Sequence, residues 1–347
     1  KALTERMERD PGNEHLRRQM LRVYRADIKT VDAFCTALLR ENCHLLGEDA
    51  CGHTLRPDFR VLDENDAQTL RERVLARTLD DFYDDLTPGG ALLADTLGAG
   101  RDDSALEALV LELHAKLQAQ PYEHKWLDAQ RALWSKVPEK IEDTPYGKIL
   151  LREVQRKARH WQRLMRMAVQ EMTQNDALDQ KYAPAFLDVS YQLEVLTVKA
   201  GESWDAARGV SIAFPRLAPV KDSDGGELKA RMKALWDGCK AAVKSFGEQF
   251  AASSGEAAED LRTMAPAMLA LIDLTAEFSC RYNEEKRRRN AADFSDQEHE
   301  AIRLLIGEDG TPTDLANTVS ARYREIMVDE YQDTNEVQNR IFEAISC

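Results

Sequence analysis

The sequence has no Gly-x-x-x-x-Gly-Lys-(Ser/Thr) phosphate loop, the local pattern whose backbone N–H groups and lysine cradle a nucleotide's phosphates. Gly147-Lys148 comes nearest, but Glu142 stands where the first glycine is needed and Ile149 where the hydroxyl is needed. Cysteine is sparse and scattered: Cys35, Cys43, Cys51, Cys239, Cys280 and Cys347 include no Cys-x-x-Cys pair of the kind that signals zinc or redox chemistry. They read as reduced cytosolic thiols, and the expected compartment is the cytoplasm. Cys43-His44 with Cys51 and His53 invites a metal reading, but the spacing fits no zinc template and these side chains are assigned to helix packing. No apolar run approaches membrane-spanning length. Neither a signal peptide nor an initiator Met is present, so the chain reads as a piece of a longer protein.

An excess of positive charge is also lacking. Lys and Arg number 47 against 61 Asp and Glu, a net charge of -14, which argues against a protein that coats nucleic acid with its whole surface. A local basic track inside an acidic protein would still bind phosphates. The 347 residues, 43% of them hydrophobic, suffice for two or more domains. From about 42 to 285 there is no internal repeat and no strand alternation. The pattern is helical, with loops at 87–90, 98–103, 219–226 and 253–255.

What is present gathers near the end, in Arg324-Glu325-Ile326-Met327-Val328-Asp329-Glu330-Tyr331-Gln332-Asp333-Thr334-Asn335. Ile326 to Val328 is a short apolar run, read as a buried strand that delivers Asp329 and Glu330 to the carboxyl edge of a parallel sheet. Two adjacent carboxylates there suit nucleotide hydrolysis: Asp329 holds Mg²⁺ bound to the phosphates and Glu330 positions or deprotonates the attacking water. The plainer reading is that the pair ends the strand and solvates its turn. Val337, Ile341 and Ile345 then recur at four-residue spacing, a helix with Asp333 or Thr334 as its cap.

Taken whole, Asp-Glu-Tyr-Gln-Asp-Thr-Asn with Val337-Gln338 resembles motif II of the UvrD-like superfamily-one DNA helicases. Two more stretches carry the same resemblance. Thr30-Val31-Asp32-Ala33-Phe34-Cys35 is similar to motif Ia, with Asp32 and Ala33 where the family usually has His and Ser. Asp32 also fits a helix cap, and its charge would repel a phosphate. Lys286-Arg287-Arg288-Arg289-Asn290 leading to Asp293-Phe294-Ser295-Asp296 is similar to the segment ahead of motif II. The resemblance implies catalytic Glu330, Mg²⁺ at Asp329 by way of ATP, and support of the nucleotide site by Gln332 and Asp333. It implies DNA contacts at Thr30, Val31, Phe34, Lys286, Arg288, Asp293 and Phe294.

The implied fold is α/β but predominantly helical: a partial P-loop NTPase (RecA-like) motor domain with a large all-α insertion. Residues 1–45 and 286–347 fall to the motor and 46–285 to a 1B-type insertion whose length resembles the AddA-type helicase-nuclease branch. RecB- or UvrD-type helicases and a non-catalytic helical docking module are the alternatives. That branch implies two partners, DNA and an AddB-type protein, and no membrane. With the phosphate loop absent, ATP and Mg²⁺ are expected in a full-length protein and neither in this chain, which by itself is expected to be inactive.

Within the helical stretch, Thr144 and Pro145 start a long helix with Leu150, Val154, Ala158, Trp161, Met165 and Ala168 on one face. Arg152, Arg156, Arg159, Arg163 and Arg166 line a second stripe. That stripe is either a track for a phosphate backbone or a solvated face paired with acids. The architecture predicts strands at 28–31 and 326–328 paired in one small parallel sheet, with Asp329 and Glu330 at the same edge as Thr30.

Overall fold

The computed structural model describes residues 2–23, 26–47, 54–97, 104–307 and 309–346. Cys51 and His53 of the cysteine–histidine cluster lie outside them, as do Arg101, Asp102 and Asp103. The described chain is mostly helical, and no helix in it is long and apolar enough to cross a membrane. It divides into two compact units, one of Lys1–Thr87, Ala94–Ala129 and Leu271–Cys347, the other of Pro88–Leu93 and Gln130–Ala270. These cuts differ from the expected ones at 45/46 and 285/286.

The second unit is built on the helix Pro145–Met172. Thr144 is extended, and its hydroxyl accepts the Gly147 N–H at 3.0 Å while Pro145 occupies the first turn, so the helix begins where the sequence signals it. Gly147 is needed for packing, because a Cβ there would lie 1.9 Å from the Ile141 carbonyl oxygen. That close approach accounts for a glycine beside Lys148 with no phosphate nearby. Val154, Ala158, Met165 and Ala168 are buried against Phe186, Val189 and Leu193 of the helix Ala183–Glu202. Gln155 Nε2 meets the Thr197 carbonyl at 3.1 Å and Arg166 meets Glu194 at 2.7 Å, so the two helices run antiparallel. Trp236 packs on Phe186 and Phe214 with ring centroids 4.9 and 5.1 Å away.

In the first unit the helices Val31–Asn42, Phe294–Leu305, Asp314–Ser320 and Glu336–Ile345 share one core. Cys35, Leu39, Leu305, Val337 and Ile341 are all fully buried there, each aliphatic side chain adding about 1.5–3 kcal/mol by leaving water. The sheet is a single parallel pair, Arg60–Val61 with Ala291–Ala292. Asn290, at φ 47°, turns the chain into the second strand; its carbonyl accepts from Arg60 N at 2.9 Å and its amide side chain takes Arg56 N at 3.1 Å.

Four expectations are corrected. Residues 28–30 and 326–328 are in no strand; Val31 already belongs to a helix, and no described residue pairs with either stretch. A parallel-sheet strand requires partners for its backbone groups and cover for its apolar side chains, and here Ile28 and Met327 are 83% and 88% exposed. The Val31 helix is capped by Thr30, whose hydroxyl takes Ala33 N at 3.2 Å, because Asp32 is already inside the first turn. The Glu336 helix is capped by Asn335, which takes Gln338 N at 2.7 Å; Asp333 lies in a 3-10 turn and the Thr334 hydroxyl is spent on the Tyr331 carbonyl.

Candidate functional site

Asp329 to Asp333 form one exposed turn. Asp329 Oδ1 accepts the Glu330 N–H at 3.1 Å, and the backbone of Glu330 is left-handed, at φ 50° and ψ 41°. For a residue with a Cβ that conformation costs about 1–2 kcal/mol, so its neighbours must hold it. They do so through Asp333 N to the Glu330 carbonyl at 2.9 Å and Thr334 N to the Tyr331 carbonyl at 3.1 Å. Gln332 Nε2 donates to Glu330 Oε2, and the Tyr331 hydroxyl donates to Asn339 Oδ1 on the following helix.

Among the described residues no group of three or more His, Cys, Asp or Glu side chains could hold a metal by itself. Two solvated carboxylates instead suit Mg²⁺, which keeps most of its water and is bound through one or two carboxylates together with substrate phosphates. The oxygen donors of Asp329 and Glu330 fit such an ion arriving with a nucleotide.

Both this turn and the Thr30 turn lead into helices that pack on the Phe294–Leu305 helix. Gln297 is fully buried; its Nε2 donates to the Asp293 carbonyl at 3.2 Å and its Oε1 accepts from Thr36 of the Val31 helix. Glu298, 6% exposed, accepts from Gln338 Nε2 at 2.6 Å and from the Asn335 side chain. Burial pushes the Glu298 carboxyl above its ordinary range, those two donors oppose the rise, and the charge of Asp32 adds to it. Asp32 is itself pushed up by burial. Sequence reasoning missed Gln297 and Glu298. A signal existed, since Glu298 falls on the stripe of Ala301, Ile302 and Leu305 at helical spacing, where an apolar residue is expected.

The residues expected to face DNA do not all lie at the surface. Thr30 is exposed, with its hydroxyl occupied by the helix cap. Val31 and Phe34 are half-buried on the apolar core. Phe294 is 43% exposed. Lys286 is corrected outright: it is 1% exposed, its Nζ lies 2.8 Å from Asp293 Oδ2 and 2.7 Å from Asp296 Oδ1, and it sits 4.1 Å from the Tyr282 ring centroid. A buried ammonium already shared by two carboxylates has nothing left for a phosphate. Asp293 is likewise withdrawn, since it caps the Phe294 helix in a reciprocal capping box with Asp296. Burial pushes the Asp293 carboxyl up, and Lys286 more than offsets this to hold it at about 2. Arg288 is exposed and paired with Glu285 at 2.8 Å.

The arginine stripe belongs to the second unit. All five side chains are exposed. Arg156 pairs with Glu153 and Arg166 with Glu194, whereas Arg152, Arg159 and Arg163 make no ion pair among the described residues.

Residues 1–347 match the family described as UvrD/REP helicase N-terminal domain. Among curated relatives, a protein of Ruminiclostridium cellulolyticum named as an ATP-dependent helicase/nuclease subunit is 28% identical over 357 residues, covering 99% of this chain and 28% of the relative. Proteins of the same name from Lachnoclostridium phytofermentans and Natranaerobius thermophilus are 31% and 30% identical. The matches cover 99% and 100% of this chain and 25% and 27% of those relatives. The chain therefore spans less than a third of the length of the relatives it matches.

Proposed function

This chain belongs to the UvrD/REP helicase N-terminal domain family, and from that premise we propose that it is the part of an ATP-driven DNA helicase that carries the hydrolytic carboxylates and a stretch of DNA-facing surface. The observation that most supports this is the exposed Asp329-Glu330 turn, strained at Glu330 and steered by Gln332. Strain of that kind persists where neighbours over-determine it, and it clusters at functional sites.

In this reading Asp329 holds the Mg²⁺ of bound ATP, and Glu330 accepts the proton of the attacking water. Gln332 orients the Glu330 carboxylate, and Asp333 closes the turn that presents it. The ion supplies charge neutralisation at the phosphates. Residues 1–45 and 286–347 are the motor part, both within the first compact unit, and 46–285 are the helical insertion. Thr30, Phe294 and Arg288 face single-stranded DNA; Arg152, Arg159 and Arg163 face duplex. Without a phosphate loop in its sequence, this chain alone binds ATP weakly and does not turn it over.

The names of its relatives support the larger assignment: an AddA-type cytoplasmic helicase and exonuclease that works with an AddB-type partner on double-strand DNA ends in recombinational repair. Glu330→Gln in the full-length protein tests the hydrolytic role. ATP turnover and unwinding should fall by about a hundredfold or more, the usual contribution of a general base, while DNA affinity stays within about twofold, well under that loss. Turnover unchanged by the substitution would remove Glu330 from the mechanism.

A further inference from the structure

Gln297 and Glu298 are buried polar neighbours on one helix that the proposed hydrolysis does not use. Adjacent positions on a helix point about 100° apart, so the two meet different partners. Gln297 accepts from Thr36 on the helix that begins just after Thr30. The Thr36 hydroxyl also lies 2.8 Å from the Asp32 carbonyl, which keeps it facing inward. Glu298 accepts from Gln338 and Asn335, and Asn335 is the cap of the helix that follows the carboxylate turn. One helix thus grips the element behind the Thr30 turn on one side and the element behind the Asp329-Glu330 turn on the other. Apolar contacts alone would let these helices slide. A buried hydrogen bond does not, because separating its partners leaves each desolvated group unsatisfied.

We propose that Gln297 and Glu298 are positioning residues that couple the DNA-facing turn at Thr30 to the hydrolytic turn at Asp329-Glu330. Movement of the Val31 helix on DNA binding is carried through Thr36 to the Phe294 helix, and through Glu298 to Asn335 and the carboxylate turn. The proposal rests on the functions assigned above to the two turns.

The test uses the full-length protein and compares its affinity for a single-stranded oligonucleotide with and without Mg²⁺ and a non-hydrolysable ATP analogue. Coupling between two ligands is reciprocal, so this ratio reads it directly, and values of about 5- to 150-fold are usual. Thr36→Val removes the hydroxyl at nearly constant shape, Glu298→Gln removes the charge, and Thr36→Ser restores the hydroxyl. The expected result is a ratio that collapses toward one in Thr36→Val and Glu298→Gln and survives in Thr36→Ser. DNA-free ATP turnover and melting temperature should stay at wild-type values in all three. A ratio that persists in both disruptive variants overturns the coupling, and so does a ratio that falls only together with basal turnover and melting temperature. A wild-type ratio of one with ATP turnover intact also overturns it. A wild-type protein that neither hydrolyses ATP nor binds DNA instead overturns the functional reading, before any variant is made.

Discussion

Tyr323 donates its hydroxyl hydrogen to Asp27 Oδ2 at 2.8 Å, a bond that spans 296 positions of sequence. It ties the extended stretch before the Val31 helix to the stretch that runs into Asp329 and Glu330. Lys29 Nζ lies 3.0 Å from Asp27 Oδ1 and adds to the same knot.

Tyr323→Phe should loosen that knot in a pH-dependent way. The Tyr323 hydrogen bond, with Lys29 second, holds the Asp27 carboxyl below its ordinary value of 3.8. A depressed carboxyl stabilises the fold above its unfolded pKa, and that contribution is lost as pH falls through the folded value. The site is open to solvent, so the loss at pH 7 should stay under about 1 kcal/mol. Urea unfolding of wild type and variant should differ at pH 7 and converge near pH 3, about one unit below the ordinary value. A gap that stays constant with pH would mean Tyr323 acts only by packing.

Lys286→Met should destabilise the protein by about 3–5 kcal/mol, because it leaves Asp293 and Asp296 buried without their cation. Lys286 holds Asp293 at about 2 against the pull of burial, so this stabilisation exists above the ordinary 3.8 and fades as pH falls toward 2. Adding Asp293→Asn and Asp296→Asn to Lys286→Met should recover part of the loss at neutral pH. Chemical denaturation reads all three effects. A Lys286→Met protein of wild-type stability with weakened DNA binding would return Lys286 to the phosphate track.

Much of the helical architecture was legible in the sequence. Thr144-Pro145 marked a helix start, and Asp63 before Glu64 marked another, since caps are local chemistry that one residue can announce. Residues 326–328 misled because an apolar triplet says what a strand would bury and nothing about which chain covers it. The Arg60–Val61 and Ala291–Ala292 pair escaped notice because two residues carry no period. Lys286 looked like one of four solvated basic residues, and only the fold brings Asp293 and Asp296 onto it. For the carboxylate site, residue type was visible at Asp329 and Glu330. The left-handed backbone at Glu330 was not, because Glu has no preference that would signal it.

His299 should act as a buried imidazolium. Its Nδ1 lies 2.8 Å from the Ser295 carbonyl and its Nε2 2.9 Å from the Gln120 carbonyl, with Glu123 Oε1 at 3.6 Å from Nε2 and the Ser295 hydroxyl 3.4 Å from Nδ1. Two carbonyl acceptors require both ring nitrogens to carry protons. Burial alone would lower its pKa, but Glu123 and the two carbonyls outweigh it and raise the pKa above 6.5. A raised histidine stabilises fully below its unfolded pKa, and the contribution is lost as pH climbs through the folded value. The stability gap between wild type and His299→Gln should therefore shrink as pH rises from about 6 to about 9, a window bracketing the ordinary histidine value. A gap that widens over that range would mean the ring is neutral.

The arginine stripe makes the sharpest test of the proposed duplex contact, because the structure divides it. Arg156 is held by two hydrogen bonds of 2.8 Å to Glu153, and Arg166 by one of 2.7 Å to Glu194, so their charge is already answered. Arg152, Arg159 and Arg163 are exposed and make no ion pair among the described residues, so they can meet phosphates without first breaking a bond. Each phosphate neutralised on duplex DNA contributes roughly 0.9 to the slope of log affinity against log salt. Replacing Arg152, Arg159 and Arg163 by Ala in the full-length protein should weaken duplex binding without sequence preference and flatten that slope by up to about 0.9 per residue. Arg156→Ala with Arg166→Ala should change it much less, since Glu153 and Glu194 already oppose those charges. Arg288→Ala should act on single-stranded DNA, where each contact contributes about 0.7. If the first triple leaves both affinity and slope unchanged, the stripe is a solvated helix face and the duplex must be held elsewhere.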